Sequence, residues 1–215
     1  FKAFNLTIPG DISSAAFFIV LTLLNKNSII KLKNINLNPT RLGVIKILKK
    51  MNAQIKLIKL KTICGEKVGD IVVKSSNLKA INCPALLVPS AIDEFPILMI
   101  AAAKADGIST FSGLDELNKK ESPRLNIMNS ILNKVGIKTR LKKNKIKIFG
   151  NPEIKLNKSY EINTYLDHRI CMSVFVMSQI FGSQIKINDC NSIATSFPNF
   201  FNLMKQIGAK YSKCR

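Results

Sequence analysis

Three short segments hold the side chains that could transfer protons or bind an anion. They are KKESPR at 119–124, DHR at 167–169, which contains the only histidine of the chain, and DE at 93–94. Aspartate, glutamate and histidine can act as general acids or bases, and arginine can bind a carboxylate or phosphate through two parallel hydrogen bonds. Together the three segments would make a site for a small polyanion with acid/base groups beside it.

Each segment taken alone also has a structural interpretation. KKESPR can be a capping box at a helix start, with Glu121 and Arg124 three residues apart on one face as a surface ion pair. Asp93 and Asp167 can be N-caps of helices, with the charged residues after them facing solvent. Metal-ligand spacings, a glycine-rich phosphate loop and a Gly-x-Ser-x-Gly turn are missing from the sequence. We therefore expect neither a metal ion nor a cofactor.

A threefold repeat predicts that the three segments converge. Three times an aspartate opens an apolar helix, and 28, 30 and 31 residues later a proline lies in the first turn of an amphipathic helix. The aspartates are Asp11, Asp93 and Asp167, and the prolines are Pro39, Pro123 and Pro198. Such a long period indicates one supersecondary unit used three times. Equivalent helix N-termini, which attract anions, should then lie at one end of the domain.

Each unit is predicted to run strand, helix, strand, helix and hairpin, which makes one α/β domain over residues 1–215. The units cover about 4–75, 78–150 and 160–215, with three parallel inner helices at the centre and sheets outside. The predicted strands are Phe4–Ile8, Ile29–Leu32, Ile55–Leu60, Ile71–Lys74, Ile108–Phe111 and Ile185–Asn188, with a hairpin that turns at Lys143-Asn144. The predicted inner helices are Ser13–Leu24, Glu94–Lys104 and His168–Gln179; the outer helices begin at Pro39, which Asn38 caps, near Pro123, and at Phe200.

The composition limits the classes of binding partner but does not identify one. The net charge is +20, from 33 Lys+Arg against 13 Asp+Glu, and such an excess can serve nucleic acid, an acidic membrane surface or anionic small substrates. The lysines are spread over the predicted exposed faces without interleaved aromatic residues, which favours a solvated background over nucleic-acid binding. Five cysteines without a CxxC spacing indicate reduced thiols in a cytoplasmic protein, and no apolar run reaches the roughly 18 residues that span a bilayer.

Six ordered motifs resemble the C-terminal half of the EPSP synthase (3-phosphoshikimate 1-carboxyvinyltransferase) family. They are PGDxSSAAF, NPTRxG, IDEFPIL, LxxKESxR, LDHRIxM and IATSFPxF, and they cover nearly the whole chain. The resemblance implies one domain of a two-domain inside-out α/β barrel fold, each domain having three βαβαββ units. It implies transfer of the enolpyruvyl group of phosphoenolpyruvate to the 5-hydroxyl of shikimate 3-phosphate, with release of phosphate, on the route to aromatic amino acids.

The resemblance also assigns the proton-transfer steps. By motif position Asp93 would be the base at the 5-hydroxyl of shikimate 3-phosphate, and Lys120 would bind near that hydroxyl. Glu121 would deliver or remove the proton at C3 of phosphoenolpyruvate. Such a role needs a carboxyl group that titrates near neutrality, which a largely desolvated cleft could arrange.

Substrate binding is assigned in the same way. Arg124 and Arg169 would hold the carboxylate of phosphoenolpyruvate, with His168 alongside. The chain departs from the family pattern at Asn118, at Pro123, where an aspartate is usual, and at Thr195, where many members have a lysine. The resemblance therefore implies that an outer charge contact is lost at Pro123.

The start at Phe1 predicts an internal or truncated beginning, and the resemblance implies that the N-terminal domain of a monomeric parent enzyme is absent. We therefore expect the chain alone to bind shikimate 3-phosphate poorly and to turn nothing over. Two alternatives stay open: UDP-N-acetylglucosamine enolpyruvyl transferase, which shares the fold and the phosphoenolpyruvate chemistry, and a basic nucleic-acid-binding module. The KES and DHR motifs argue against the first, and only the net charge favours the second.

Overall fold

Three apolar helices form the centre of the fold. In the computed structural model, which describes residues 3, 5 and 7–212, the helices α1 (Ile12–Leu24), α3 (Phe95–Ala103) and α5 (His168–Phe181) pack against one another. Every residue of α3 is buried, as are most of α1 and α5. A helix without a polar stripe needs apolar neighbours on all sides, and the other two helices and the sheets supply them.

The remaining elements surround this centre. The other helices are α2 (Gly43–Lys50), α4 (Arg124–Lys134), α6 (Ser192–Ser196) and α7 (Phe200–Gln206). The strands are β1 (Ile29–Asn36), β2 (Gln54–Ile63), β3 (Glu66–Lys74), β4 (Gly107–Phe111), β5 (Thr139–Lys142), β6 (Lys145–Gly150), β7 (Tyr160–Asn163) and β8 (Ile185–Asn188). Short 3-10 helices span Ala85–Leu87, Pro89–Glu94 and Asp115–Lys119. In the part of the chain that the structure describes, no helix is both long and apolar enough to cross a membrane.

Two sheets share one topology. β1, β3 and β2 lie in that order in the first sheet, and β4, β6 and β5 in the second, with every pair antiparallel. In both sheets the last strand of the hairpin therefore lies in the middle. The third sheet consists of β7 and β8, which are parallel.

The chain that enters each inner helix runs parallel to the strand that leaves it. β7 and β8 flank α5 in this way, and isolated parallel bridges join Gly10 to Ile35 around α1 and Lys79 to Asp106 around α3. Contacts described below join the N-terminal ends of all three inner helices. The helices therefore start at the same end of the bundle, which confirms the predicted α/β class with parallel inner helices.

Several predicted elements match closely. The strand Ile185–Asn188 is present as predicted, and the second hairpin turns at Lys143-Asn144, where Lys143 has φ 52°. β1 and the first hairpin are longer than predicted. Of the predicted strand Phe4–Ile8, Phe4 lies outside the described residues, and Ile8 is not in a strand.

The prediction that proline occupies the first turn of each outer helix is wrong. α2 begins at Gly43, and the side chain of Asn38 instead accepts hydrogen bonds from the backbone N–H and the hydroxyl of Thr40, at 3.0 and 2.7 Å. An Asn side chain that binds the backbone two residues on stabilises a turn in competition with a helix. Pro123 is the N-cap of α4, and α7 begins two residues after Pro198.

Candidate functional site

Asp167 joins the start of α5 to the start of α4. One carboxylate oxygen accepts the backbone N–H groups of Arg169 and Ile170, at 2.9 and 3.3 Å, and thereby caps α5. The other accepts the Nε–H of Arg124 and the hydroxyl of Ser122, both at 2.8 Å. Burial raises the pKa of Asp167, but the hydrogen bond and charge of Arg124 outweigh it, so the pKa lies below its usual range. This buried carboxylate is therefore ionised at neutral pH.

Arg124 is the centre of the charged cluster. Its side chain is 1% exposed, and its guanidinium binds three carboxylates: Asp167 through Nε, Asp93 through Nη1 at 3.4 Å, and Glu121 through Nη2. The predicted ion pair with Glu121 is thus present, but the arginine is buried instead of lying on the surface. Burying a charge is costly unless it is paired and hydrogen-bonded, and three acids meet that requirement.

The capping-box interpretation of KKESPR is wrong. The N-cap residue of α4, Pro123, makes no side-chain cap bond, and the hydroxyl of Ser122 donates to Asp167 instead of capping the helix. Glu121 precedes the helix and its carboxylate lies against Arg124 with 58% of the side chain exposed. The segment is therefore a connection between two helix starts, and Glu121 is its solvent-facing acid.

Asp93 forms ion pairs with two basic side chains and does not cap a helix. α3 begins at Phe95, and Asp93 lies in the preceding 3-10 helix, where its Oδ1 is 3.2 Å from Nζ of Lys120 and 3.4 Å from Nη1 of Arg124. Desolvation raises the pKa of Asp93, but the charges of Arg169, Lys120 and Arg124 more than offset it and lower the pKa. Asp93 and Lys120 are both partly exposed, so this pair lies at the rim of the cluster.

Arg169 completes the cluster from the first turn of α5. Its Nη1 donates to the backbone carbonyl of Asp93 at 3.3 Å and to the carboxylate of Glu94 at 3.4 Å, and the side chain is 15% exposed. His168 beside it is half-buried, and its pKa is lowered by desolvation first and then by the charge of Arg169. The imidazole is therefore neutral at neutral pH.

Sequence reasoning named the DE pair but did not predict that Glu94 is buried at the same end of the bundle. Glu94 is 2% exposed, and desolvation raises its pKa despite hydrogen bonding from Ser13 and the charge of Arg169. Ser13 hydrogen-bonds Glu94, and its hydroxyl accepts from Nη2 of Arg41 at 2.6 Å, so the first unit also reaches the cluster. The DE pair and the helix start at Ser13 were visible in the sequence, but a contact between Arg41 and Ser13 needs the folded arrangement of α1 and the turn before α2.

The predicted convergence of the three segments is confirmed. Five of the predicted site residues are joined by direct contacts and the sixth, His168, is adjacent in the chain to Arg169; the five are Asp93, Lys120, Glu121, Arg124 and Arg169. The roles of these residues in catalysis and binding stay predictions. Within residues 3, 5 and 7–212, no group of three His, Cys, Asp or Glu side chains is placed to hold a metal ion.

Comparison with known proteins gives consistent matches over nearly all of this chain. Residues 1–204 match the family model of EPSP synthase (3-phosphoshikimate 1-carboxyvinyltransferase). The chain is 42% identical over 200 residues to the 3-phosphoshikimate 1-carboxyvinyltransferase of Petrotoga mobilis, covering 93% of this chain and 46% of the relative. It is 43% identical over 213 residues to the enzyme of that name from Zymomonas mobilis, covering 98% of this chain and 47% of the relative.

Solved structures agree with these sequence matches. An EPSP synthase from Acinetobacter baumannii superposes with a TM-score of 0.90 at 38% identity, over 94% of this chain and 47% of that one. The enolpyruvyl transferase NikO from Streptomyces tendae has a TM-score of 0.69 at 13% identity over 95% of this chain and 44% of that one, a likeness of fold alone. The chain thus spans about half the length of the curated relatives that it matches.

Proposed function

The chain belongs to the EPSP synthase family, and from this premise we propose that it forms one half of an enolpyruvyl transferase. The whole enzyme would move the enolpyruvyl group of phosphoenolpyruvate to the 5-hydroxyl of shikimate 3-phosphate and release phosphate. The observation that carries this proposal is the contact of Asp93, Glu121 and Asp167 with one buried arginine, Arg124, beside Arg169. Acid/base groups and anion-binding groups thereby share one end of the helix bundle. The family match favours the shikimate substrate over a UDP-sugar.

The first chemical step would use the rim pair. The 5-hydroxyl oxygen attacks C2 of phosphoenolpyruvate, its proton passes to a base, and C3 gains a proton. Asp93 is an ionised acceptor next to the ammonium group of Lys120, so the two can hold a hydroxyl between a base and a hydrogen-bond donor. In the second step C3 loses a proton and phosphate leaves C2, which gives the product enol ether.

Glu121 would carry the C3 proton. It is the acid of the cluster that projects most toward solvent, while Arg124 holds one of its oxygens. A carboxyl group used for proton transfer must be within reach of the reacting carbon and shielded from bulk water. Closure of the other half of the enzyme over this end would provide the shielding.

Arg169 would bind the carboxylate of phosphoenolpyruvate. Its two hydrogen bonds are 3.3 and 3.4 Å long and one of them goes to a backbone carbonyl, so a substrate carboxylate could replace either of them. Arg124 is almost completely buried, and its contact with Asp167 is shorter, at 2.8 Å. To contact the substrate it would have to exchange one of its three acids, Glu121 being the most exposed.

The rest of the site would come from the part of the relatives' length that this chain does not span. That part makes up more than half of each relative reported above. We therefore expect the 215-residue chain to bind shikimate 3-phosphate poorly and to release no phosphate. The complete enzyme would be a cytoplasmic monomer that takes two anionic small molecules, and neither nucleic acid nor a membrane is expected as a partner. Turnover by the isolated chain would contradict this division of the site.

A hybrid enzyme tests the proposal. The residues of the Petrotoga mobilis relative that align with this chain are replaced by this chain, and phosphate release from shikimate 3-phosphate and phosphoenolpyruvate is measured, with the UDP-sugar as the competing substrate. We expect release with shikimate 3-phosphate only. The variant Glu121→Gln should lower kcat by about 10²- to 10⁴-fold, the usual contribution of a general acid or base.

Glu116→Gln is the matched control for that variant. Glu116 is 66% exposed and pairs with Lys119 three residues later, as Glu121 pairs with Arg124. We expect this control to change kcat less than about twofold, because surface ion pairs contribute little. If both variants keep the activity of the parent hybrid, Glu121 is not the proton carrier and the assignment fails.

A further inference from the structure

Two cysteines lie with their sulfur atoms in contact outside the charged cluster. Cys171 is in the first turn of α5 and is completely buried, and Cys190 is half-buried in the turn between β8 and α6. Their Sγ atoms are 3.2 Å apart. We infer that Cys171 and Cys190 form a reversible disulfide on oxidation, so that this pair is a redox modification site.

The geometry requires only a small movement. A disulfide bond is about 2.05 Å long, so the two sulfurs must approach by roughly 1 Å. Cys190 lies in a turn and not in a helix or strand, whereas Cys171 is held within α5. The movement can therefore be made by the turn, while the buried helix stays in place.

The two thiols have different chemical roles. The thiol of Cys171 donates a hydrogen bond to Sγ of Cys190, which lowers the pKa of Cys190 against the opposing effects of desolvation and Asp189. The pKa of Cys171 is raised by the same contact and by burial. Cys190 is also the more exposed of the two, and the thiolate is the reactive form of cysteine. Cys190 therefore reacts first and Cys171 resolves the product.

Hydrogen peroxide can serve as the two-electron oxidant that forms this disulfide. The thiolate of Cys190 attacks one oxygen of hydrogen peroxide, the O–O bond breaks, and hydroxide leaves with a proton as water, giving a sulfenic acid. The sulfur of Cys171 then attacks Sγ of Cys190, the S–S bond forms, the S–O bond breaks, and the oxygen leaves as a second water. Two thiols are oxidised by two electrons in total and one peroxide is reduced to two waters.

The disulfide would link the candidate site to a distant part of the chain. Cys171 lies two residues after Arg169, and Cys190 lies two residues before α6, which begins at Ser192. The bond would close a loop that contains most of α5 and all of β8. It would thereby fix the first turn of α5, which presents Arg169, to the turn before α6.

The test is to oxidise the fully reduced 215-residue protein with hydrogen peroxide and to count the remaining thiols. We expect the loss of two of the five thiols and their recovery with dithiothreitol. After alkylation, trypsin should yield peptide 170–186 linked to peptide 187–205, because cleavage follows Arg169, Lys186 and Lys205. The readout does not use transferase activity, so a negative result here leaves the proposed function intact, and the reverse also holds.

Matched variants decide between this pair and a general reactivity of thiols. Cys64→Ser removes an exposed cysteine at a hairpin turn, and the protein should still lose two thiols. Cys190→Ser should abolish the linked peptide. In guanidinium chloride, the preference for this pair should disappear, which shows that the fold creates it. A wild-type protein that keeps all five thiols, that links other cysteines, or that over-oxidises Cys190 without a link would overturn the inference.

Discussion

Two arginines at neighbouring helix starts show how the same residue type can be used in different ways. Arg124 is 1% exposed and contacts three carboxylates, whereas Arg169 is 15% exposed and contacts one carbonyl and one carboxylate at 3.3 and 3.4 Å. Motif position assigned both to the same substrate carboxylate. We propose a division: Arg124 would position the acids of the site, and Arg169 would keep donors that an incoming anion can reach.

The same contrast holds for the aspartates that cap two inner helices. Asp11 caps α1 at the surface, where it accepts the backbone N–H and the hydroxyl of Ser14 at 2.8 and 3.0 Å. Asp167 caps α5 in the interior and also neutralises Arg124. Both look alike in the sequence, since each precedes an apolar helix. The difference is whether the second oxygen of the carboxylate meets water or a buried charge.

The largest expected effect is that of Asp167→Ala. Removing this carboxylate takes away the cap of α5 and leaves Nε of the buried Arg124 guanidinium without its partner, so we expect the free energy of unfolding to fall by about 3–5 kcal/mol. Asp11→Ala removes a cap only and should cost about 1 kcal/mol. Chemical denaturation of both variants measures the difference. Equal losses would mean that Arg124 does not depend on Asp167.

The two arginines themselves give the next prediction. Arg124→Lys replaces a planar donor that reaches three acids by an ammonium that cannot match this geometry, and we expect a loss of about 2–4 kcal/mol. Arg169→Lys should cost less than about 1 kcal/mol in stability, because the side chain is partly exposed and its contacts are long. In the hybrid enzyme, however, Arg169→Lys should raise the KM for phosphoenolpyruvate. A larger loss of stability at Arg169 than at Arg124 would reverse the division proposed above.

A smaller effect is expected at the rim of the cluster. Lys120→Met breaks the pair with Asp93, and Lys31→Met breaks the pair of Lys31 with Asp70; both pairs have an N–O distance of 3.2 Å and partly exposed side chains. Each should cost no more than about 1 kcal/mol of stability. Only Lys120→Met should lower the turnover of the hybrid, because only that lysine lies beside the proposed base. Equal turnover in both variants would remove Lys120 from the mechanism.

The sequence predicted most of the fold because its signals were local and repeated. Apolar runs, turn residues and the threefold spacing predicted the inner helices, the strand Ile185–Asn188 and the turn at Lys143-Asn144. The start of the first outer helix was wrong, because Asn38 and Pro39 favour a turn as much as a helix start, whereas the third outer helix begins at Phe200 as predicted. Spacing alone does not separate these two outcomes.

The sequence predicted which residues form the site, but not how these residues contact one another. The repeat brought Asp93, Arg124 and Arg169 to one end, as the structure shows. Nothing in the spacing showed that Arg124 would be buried among three acids or that Glu94 would point inward. Those facts depend on how the starts of three helices pack together, which involves residues up to 76 positions apart.

The smallest expected effect is a gain of stability instead of a loss. It concerns Glu94, the buried acid that contacts Arg169. Its pKa is raised in the folded protein, chiefly by desolvation, so its contribution to stability is present below the unfolded value of 4.5 and is lost as the pH rises through the folded pKa. Glu94→Gln keeps an acceptor for Ser13 and Arg169 without the charge, and should raise stability at pH 7 by on the order of 1 kcal/mol.

The pH dependence of stability tests this reasoning by comparing Glu94 with Asp167, the buried acid that contacts Arg124. The advantage of Glu94→Gln over the wild type should shrink as the pH falls towards 4.5. Asp167→Asn should behave in the opposite way, because the pKa of Asp167 is lowered: the variant is less stable at neutral pH, and the deficit shrinks only as the pH falls below 3.8 through the folded pKa. Denaturation curves at several pH values measure both. If Glu94→Gln destabilises the protein at neutral pH, the charge of Glu94 is stabilised by Arg169, and that arginine is less available to a substrate than its exposure suggests.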